Sequence, residues 1–428
     1  MAFPNDRARE GRARGRAFVR TSIFLGVLAA SSIAYAWTVS SGRAADKIVF
    51  DPKVPLKLAK LFTVEHHLAL QSLKMDDNGV EQIAQQALNL DTKQIVRTLD
   101  DYQACGGGRP TLLRRTYEDA NIRVDVAFQS GNAGDKEAKD AIEAKSPFEG
   151  LVVLFTWAPE EKGYGKFYDA VEGDESYLPG LAEDLDLLAL LPGHDVSPGD
   201  QWTIEPASIV DWVAPGGVLP MKFERKQGDR FVRTLNLGVG GGLTMVFGGD
   251  VKGKVSARYE SRESKGEAGI AVLALDVDVE TDRDQTRAGE NMLSSDELLD
   301  GISVQHSEVR WKTKMQGKAR WNLAANRIES LELAGSENVA YELSLGLRGG
   351  GKSVQNMSFS GGIHVACQTG AEARKPKDKS RAPDPSKPRA PALDGRSDVN
   401  GRPPESKDEK DGAKDAKDGP KKDGKDGR

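Results

Sequence analysis

Apolar and polar residues alternate through most of the middle of the chain, and this alternation predicts its elements. Ile122, Val124, Val126 and Phe128 take turns with Arg123, Asp125 and Ala127, the pattern of a half-buried strand. Leu151–Trp157 is a denser apolar run, long enough for a central strand and short for a helix. Gly163–Phe167 reads as a turn into another short strand. Further along, Val255, Ala257 and Tyr259 alternate, as do Ala271, Leu273, Leu275, Val277 and Val279. More strands are predicted at Val309–Trp311, Ala319–Leu323, Ile328–Leu333, Val339–Leu345, Met357–Phe359 and Ile363–Val365. Short strands at a spacing of roughly ten residues, joined by Gly and Asn turns, point to antiparallel sheets and not to βαβ units.

Two stretches break this pattern and predict helix. Leu58, Leu61, Phe62, Glu65, Leu68 and Ala69 recur at helical spacing, and so do Val80, Ile83, Ala84, Ala87 and Leu88 beyond the break at Asp76–Gly79. Val64–Leu70 also fits an alternating strand, which leaves that segment open. Leu181–Leu191 (LAEDLDLLALL) predicts an amphipathic helix. The fold class is therefore mainly β (α+β). Curved antiparallel sheets are expected in one large or two similar lobes, after an N-terminal helical segment and before a disordered C-terminal tail. The lobes would span 46–206, which includes the helical segment, and 207–370.

Between the halves lies LPGHDVSPGDQW, Leu191–Trp202, where Pro192-Gly193 and Pro198-Gly199 bracket a polar link that ends on a tryptophan. That is two tight turns leading into a strand. Together with GKARWNLAANRIESLEL later in the chain, it resembles uncharacterised exported bacterial envelope proteins. Those carry a Leu-Pro…Val-x-x-Gly-Asp-x-Trp turn and a strand pair of the form Gly-x-Ala-x-Trp/Phe-Asn/Asp-x-x-x-x-Arg. The matched positions are Leu191, Pro192, Val196, Gly199, Asp200, Trp202, Gly317, Ala319, Trp321, Asn322 and Arg327. The resemblance covers about residues 110–345 and implies a curved antiparallel β fold with no catalytic residues.

Charge and composition mark the two ends. Six arginines between Arg7 and Arg20 precede an apolar run from Ile23 to Ala36 that closes on Ala34-Tyr35-Ala36. This is the build of a signal peptide or an uncleaved signal anchor over residues 1–36. Export to the periplasm or cell envelope is expected, with membrane contact only through that N-terminal segment if it stays as a transmembrane helix. Residues 371–428 are rich in Lys, Asp, Pro and Gly and poor in apolar residues, a solvated spacer with too little to bury. Each end carries a net +4, so the body between them carries −13 of the chain's total of −5. An acidic body excludes nucleic acid as its partner.

Candidate chemistry is sparse. Gly346–Ser353 matches GxxxxGK[ST], but the segment after it alternates like a strand, so it reads as a hairpin turn and not a phosphate loop. Asp276, Asp278 and Glu280 alternate with valines, the solvated face of a strand and not a calcium loop. His66 and His67 are adjacent, and His194, His306 and His364 stand alone, so no metal set and no cofactor is implied. No catalytic motif is present, which tilts the reading away from an enzyme. Trp157, Trp311 and Trp321 fall within strands and are the candidate ligand-binding residues, with core packing as the competing role. Cys105 and Cys367 could close one disulfide in an oxidising compartment. The expected function is non-enzymatic: an exported envelope protein binding a lipid, lipoprotein or protein partner on a curved sheet. An exported hydrolase of cell-wall or carbohydrate substrates and a structural surface protein without ligand are the alternatives.

Overall fold

The computed structural model describes residues 45–374 except 84–86, 130–137, 171, 224–249, 266–267, 287–302, 348–349 and 372. The predicted leader and the charged tail from 375 lie outside the described residues. In chain order the strands are β1 (Leu56–Asp77), β2 (Val80–Ile83), β3 (Ala87–Gly106), β4 (Arg109–Gln129), β5 (Ala138–Lys145), β6 (Val152–Ala158) and β7 (Gly163–Tyr168). After a long connector follow β8 (Gln201–Ile204), the one-turn helix α1 (Ile209–Val213), β9 (Lys222–Phe223), β10 (Val251–Lys265) and β11 (Ala268–Asp284). The last three are β12 (Ser303–Asn322), β13 (Arg327–Gly346) and β14 (Lys352–Thr369). All belong to one antiparallel sheet whose main path runs β7-β6-β4-β3-β1-β14-β13-β12-β11-β10-β8; β2 pairs with β1, and β5 joins β4 to β9.

Mainly β is therefore correct, and of the two arrangements expected, one large curved sheet is the one found. Strands of about twenty residues would form an extended, floppy ribbon if the sheet were flat, and curvature is what lets one face close on itself. Three glycines mark where neighbouring strands come closest. Gly317, Gly335 and Gly361 fall on a diagonal, because Gly317 pairs with Leu333, two residues before Gly335, and Gly335 pairs with Ile363, two residues after Gly361. A Cβ at these positions would lie 1.9, 1.8 and 1.7 Å from a carbonyl oxygen of the neighbouring strand. No side chain but hydrogen fits, so neighbouring strands approach closely along that line.

The two faces differ sharply. Phe62, Val64, Val96, Leu113, Leu273, Leu333 and Val365 are buried on the inner face. On the outer face of β11 and β12, Glu280 meets Lys312 (3.2 Å) and Asp278 meets Lys314 (2.8 Å), while Asp276 accepts from Gln316 (2.9 Å). The acidic positions predicted to be a solvated strand face are that. The P-loop-like match is the β13–β14 hairpin, with Gly346 opposite Lys352 and the Leu347 N–H donating to the Gly351 carbonyl at 2.8 Å.

The connector from β7 to β8 runs from one edge of the sheet to the other and fills the inner face with Leu185, Leu187, Leu190 and Val196; beyond β8, Ile209 and Trp212 of α1 are buried as well. Its turns follow the sequence reading. Gly199 takes a left-handed φ of 106°, its N–H donates to the Tyr259 carbonyl (2.7 Å), and the Trp202 indole donates back to the Leu190 carbonyl (3.0 Å).

Three expectations are corrected. The N-terminal segment is not helical, because residues 56–77 and 87–106 are β1 and β3. Its inner positions include Lys60, His66, Thr92, Gln94 and Asp100, all buried, so polar residues interrupt the apolar alternation that would have announced strands. Leu181–Leu191 is no helix either, beyond a three-residue 3-10 turn at Leu188–Leu190. The Asp184 carboxylate accepts from the backbone N–H groups of Asp186 (2.8 Å) and Leu188 (2.9 Å), which fixes a tight turn instead. Cys105 and Cys367 are free thiols. Cys367 lies opposite Phe62 on one side of β1, whereas Cys105 lies near the end of β3, on the other side of β1 and past its paired stretch. Burial pushes the Cys105 thiol up to about 11 and the Cys367 thiol up to about 12, so both stay protonated and unreactive near neutrality.

Candidate functional site

Strand alternation turns Lys60 of β1, Asp100 and Tyr102 of β3 and Arg115 of β4 onto the inner face, where none of them is exposed. The connector brings Asp186 down onto them. Lys60 Nζ sits 2.8 Å from Asp186 Oδ1 and 2.9 Å from Asp100 Oδ2. Arg115 grips both Asp100 oxygens, Nε to Oδ1 at 2.8 Å and Nη2 to Oδ2 at 2.9 Å. It also donates to the carbonyls of Ala182 and Glu183, each at 3.0 Å. The Tyr102 hydroxyl donates to Asp186 Oδ1 at 2.6 Å.

Two cations and two carboxylates make this cluster neutral. Burial favours the neutral form of Lys60, but Asp100 and Asp186 outweigh it and hold the ammonium above its usual range. Burial likewise works against the Asp100 carboxylate, and Arg115 and Lys60 override it, holding Asp100 well below the carboxylate range. Burial and both carboxylates keep the Tyr102 phenol protonated. Groups so firmly fixed in one protonation state do not pass protons at neutral pH, so the cluster is an anchor that ties the connector to the sheet and not an acid–base pair.

Asp184 and Asp211 differ. Burial and the charge of Asp186 push Asp184 up to about 7, and burial with the charge of Glu183 pushes Asp211 up to about 6. Both oxygens of Asp184 are nevertheless occupied by backbone N–H groups, a turn-forming role.

A second inner-face cluster lies further along the strands. His66 Nδ1 meets Glu337 Oε1 at 2.9 Å, and the Trp311 indole donates to Glu337 Oε2 at 2.9 Å. Trp311 and Trp321 are packed in the core with 1% and 0% exposure, and Trp321 donates to the Val49 carbonyl. Trp157 sits elsewhere, on β6 at one edge of the sheet. Its ring lies under the Arg109 guanidinium (4.2 Å) and meets Tyr164 edge-on at 5.1 Å. The three sequence-predicted tryptophans therefore share no single site.

What Trp157 touches is the edge strand β7, whose one sheet neighbour among the described residues is β6. Beside it lies a groove of about 880 Å³ lined by Tyr164, Lys166, Phe167, Tyr168, Glu172 and Leu178, among others. Phe167 is 57% exposed, one of four large apolar side chains so presented among the described residues. The other side chains are held in place: Tyr164 donates to the Pro110 carbonyl (2.6 Å), Tyr168 to the Asp174 carbonyl (2.8 Å), and the Lys166 ammonium is drawn back onto the Leu181 carbonyl.

Sequence reasoning missed Lys60, Asp100, Arg115 and Asp186. Their one signal was a charged residue standing in register with apolar neighbours, as Lys60 does between Leu58 and Phe62.

No described protein family and no curated protein matches the chain. Seven solved chains match it. One is an outer membrane channel from Pseudomonas putida F1, at 7% identity and a TM-score of 0.18, covering 74% of this chain and 97% of that one. Among the described residues no helix is long and apolar enough to cross a membrane.

Proposed function

We propose that this is an exported cell-envelope protein that acts by binding, and that it takes an extended segment of a protein partner along β7. The observation that carries this reading is Phe167, 57% exposed on a strand with one sheet neighbour and beside a preformed groove. A free strand edge offers backbone N–H and C=O groups to an incoming strand, and a neighbouring aromatic and groove supply side-chain selectivity. Lysine on an edge strand normally discourages such pairing, but Lys166 is folded back onto Leu181 and leaves the edge clear. Export rests on the Arg-rich leader and the apolar run behind it.

A hydrolase would need two carboxylates free to work in a cleft. Asp184 is taken up by backbone amides, and Asp100 by Lys60 and Arg115, so neither is free for that work. Native mass spectrometry of the exported chain separates the protein partner from the lipid. The expected spectrum shows the bare protein mass; a retained stoichiometric lipid would transfer the reading to a lipid carrier.

A further inference from the structure

The outer face of the sheet holds a second site at the far end of β12. Along β11 and β12 the cross-strand rows are complementary, with Asp278 against Lys314 and Glu280 against Lys312. Further along this rule fails. On β12 and β13, Glu308 stands directly opposite Glu342, and His306 directly opposite Ser344. Like charges directly opposite one another destabilise a sheet, and here Arg310 beside Glu308 offsets part of that cost. A register irregularity between Val304 and His306 brings the imidazole to this block.

We propose that His306, Glu308 and Glu342 bind one divalent transition-metal ion of the zinc class, with the Ser344 hydroxyl beside it. One ligand atom from each of the three lies within 4.8 Å of the others, and His306 Nε2 is already 3.6 Å from Glu308 Oε2. Metal–ligand bonds of about 2.0–2.2 Å need only small side-chain rotations from there. An imidazole with two carboxylates suits zinc better than an all-oxygen calcium cage. Independently, Ser344 is buried to 3% exposure and its hydroxyl has no hydrogen-bond partner, although it lies cross-strand from His306. A buried hydroxyl without a partner is costly, and a metal-bound water at this site would satisfy it. Arg310 is the competitor. Its guanidinium holds both Glu308 oxygens, at 2.7 and 3.0 Å, and yields one of them when the metal enters.

The test uses the full chain stripped with a chelator and titrated with zinc chloride by calorimetry, with circular dichroism confirming the fold of each variant. One equivalent is expected to bind. The combined His306→Ala and Glu342→Gln variant should weaken binding at least tenfold. Arg310→Gln, which frees Glu308, should tighten it several-fold, an effect that mere structural damage would not give. Failure of the wild type to bind, or a double variant that binds as the wild type does, overturns the site.

Discussion

Replacing Lys60 by methionine keeps the length and most of the volume of the side chain and removes one buried charge. Two contacts go with it, the 2.8 Å contact to Asp186 and the 2.9 Å contact to Asp100. Asp100 keeps its two-pronged grip from Arg115, but Asp186 is left with the Tyr102 hydroxyl alone, and its Oδ2 has no hydrogen-bond partner to begin with. The neutral cluster becomes a buried net −1, and breaking a buried pair in this way costs about 3–5 kcal/mol. Asp186→Asn alone strands Lys60 less severely, since Asp100 still faces it. Combining the two restores neutrality, so the double variant should lose less than the sum of the singles by about 2 kcal/mol or more. Urea unfolding of the four proteins at pH 7 measures this coupling. Additive losses would refute the view that these residues act as one charge-balanced unit.

Further outcomes follow from the same geometry. The folded Asp184 carboxyl titrates near 7, whereas an unfolded aspartate titrates near 3.9, so the folded state holds an extra proton between those values. Stability from this group is complete below about pH 4 and is lost as the pH rises through 7; Asp184→Asn should flatten the fall in urea midpoint between pH 5 and 8. Gly361→Ala places a methyl 1.7 Å from the His67 carbonyl oxygen and should cost about 3 kcal/mol or more in urea unfolding. Gly350→Ala, with a φ of 89° and open space around it, should cost only about 1 kcal/mol. Asp278→Ala, on the exposed outer ladder, should shift stability by less than about 1 kcal/mol, which the same titration resolves.

How much of this was legible depended on what each strand carries on its inner face. β11, β12 and β13 bury Leu273, Leu275, Val277, Ala319, Trp321, Leu331 and Leu333, and their alternation reads directly as strand. β1 and β3 bury Lys60, His66 and Asp100, groups that are stable inside only because partners distant in sequence meet them, such as Asp186, Glu337 and Arg115. A local pattern holds no trace of those partners, so the helical spacing of the remaining leucines prevailed. The connector failed for a related reason: its leucines fill the inner face from an irregular backbone fixed by Asp184, not from one side of a helix. Turn chemistry was readable because it is local, as Gly199, Asp200 and Trp202 demonstrate. The strand at Gly163–Phe167 was readable, but the groove beside it depends on which strand ends the sheet, a property of topology that strand patterns do not encode.

The most direct test of the binding account is a photo-reactive phenylalanine analogue at Phe167 in the full, exported chain, irradiated in living cells. A control carries the analogue at Lys314 on the outer charge ladder. The account predicts a discrete protein adduct at 167, absent at 314 and lost when Lys166→Pro disturbs the strand edge. No adduct at 167, or the same adducts at both positions, would contradict it.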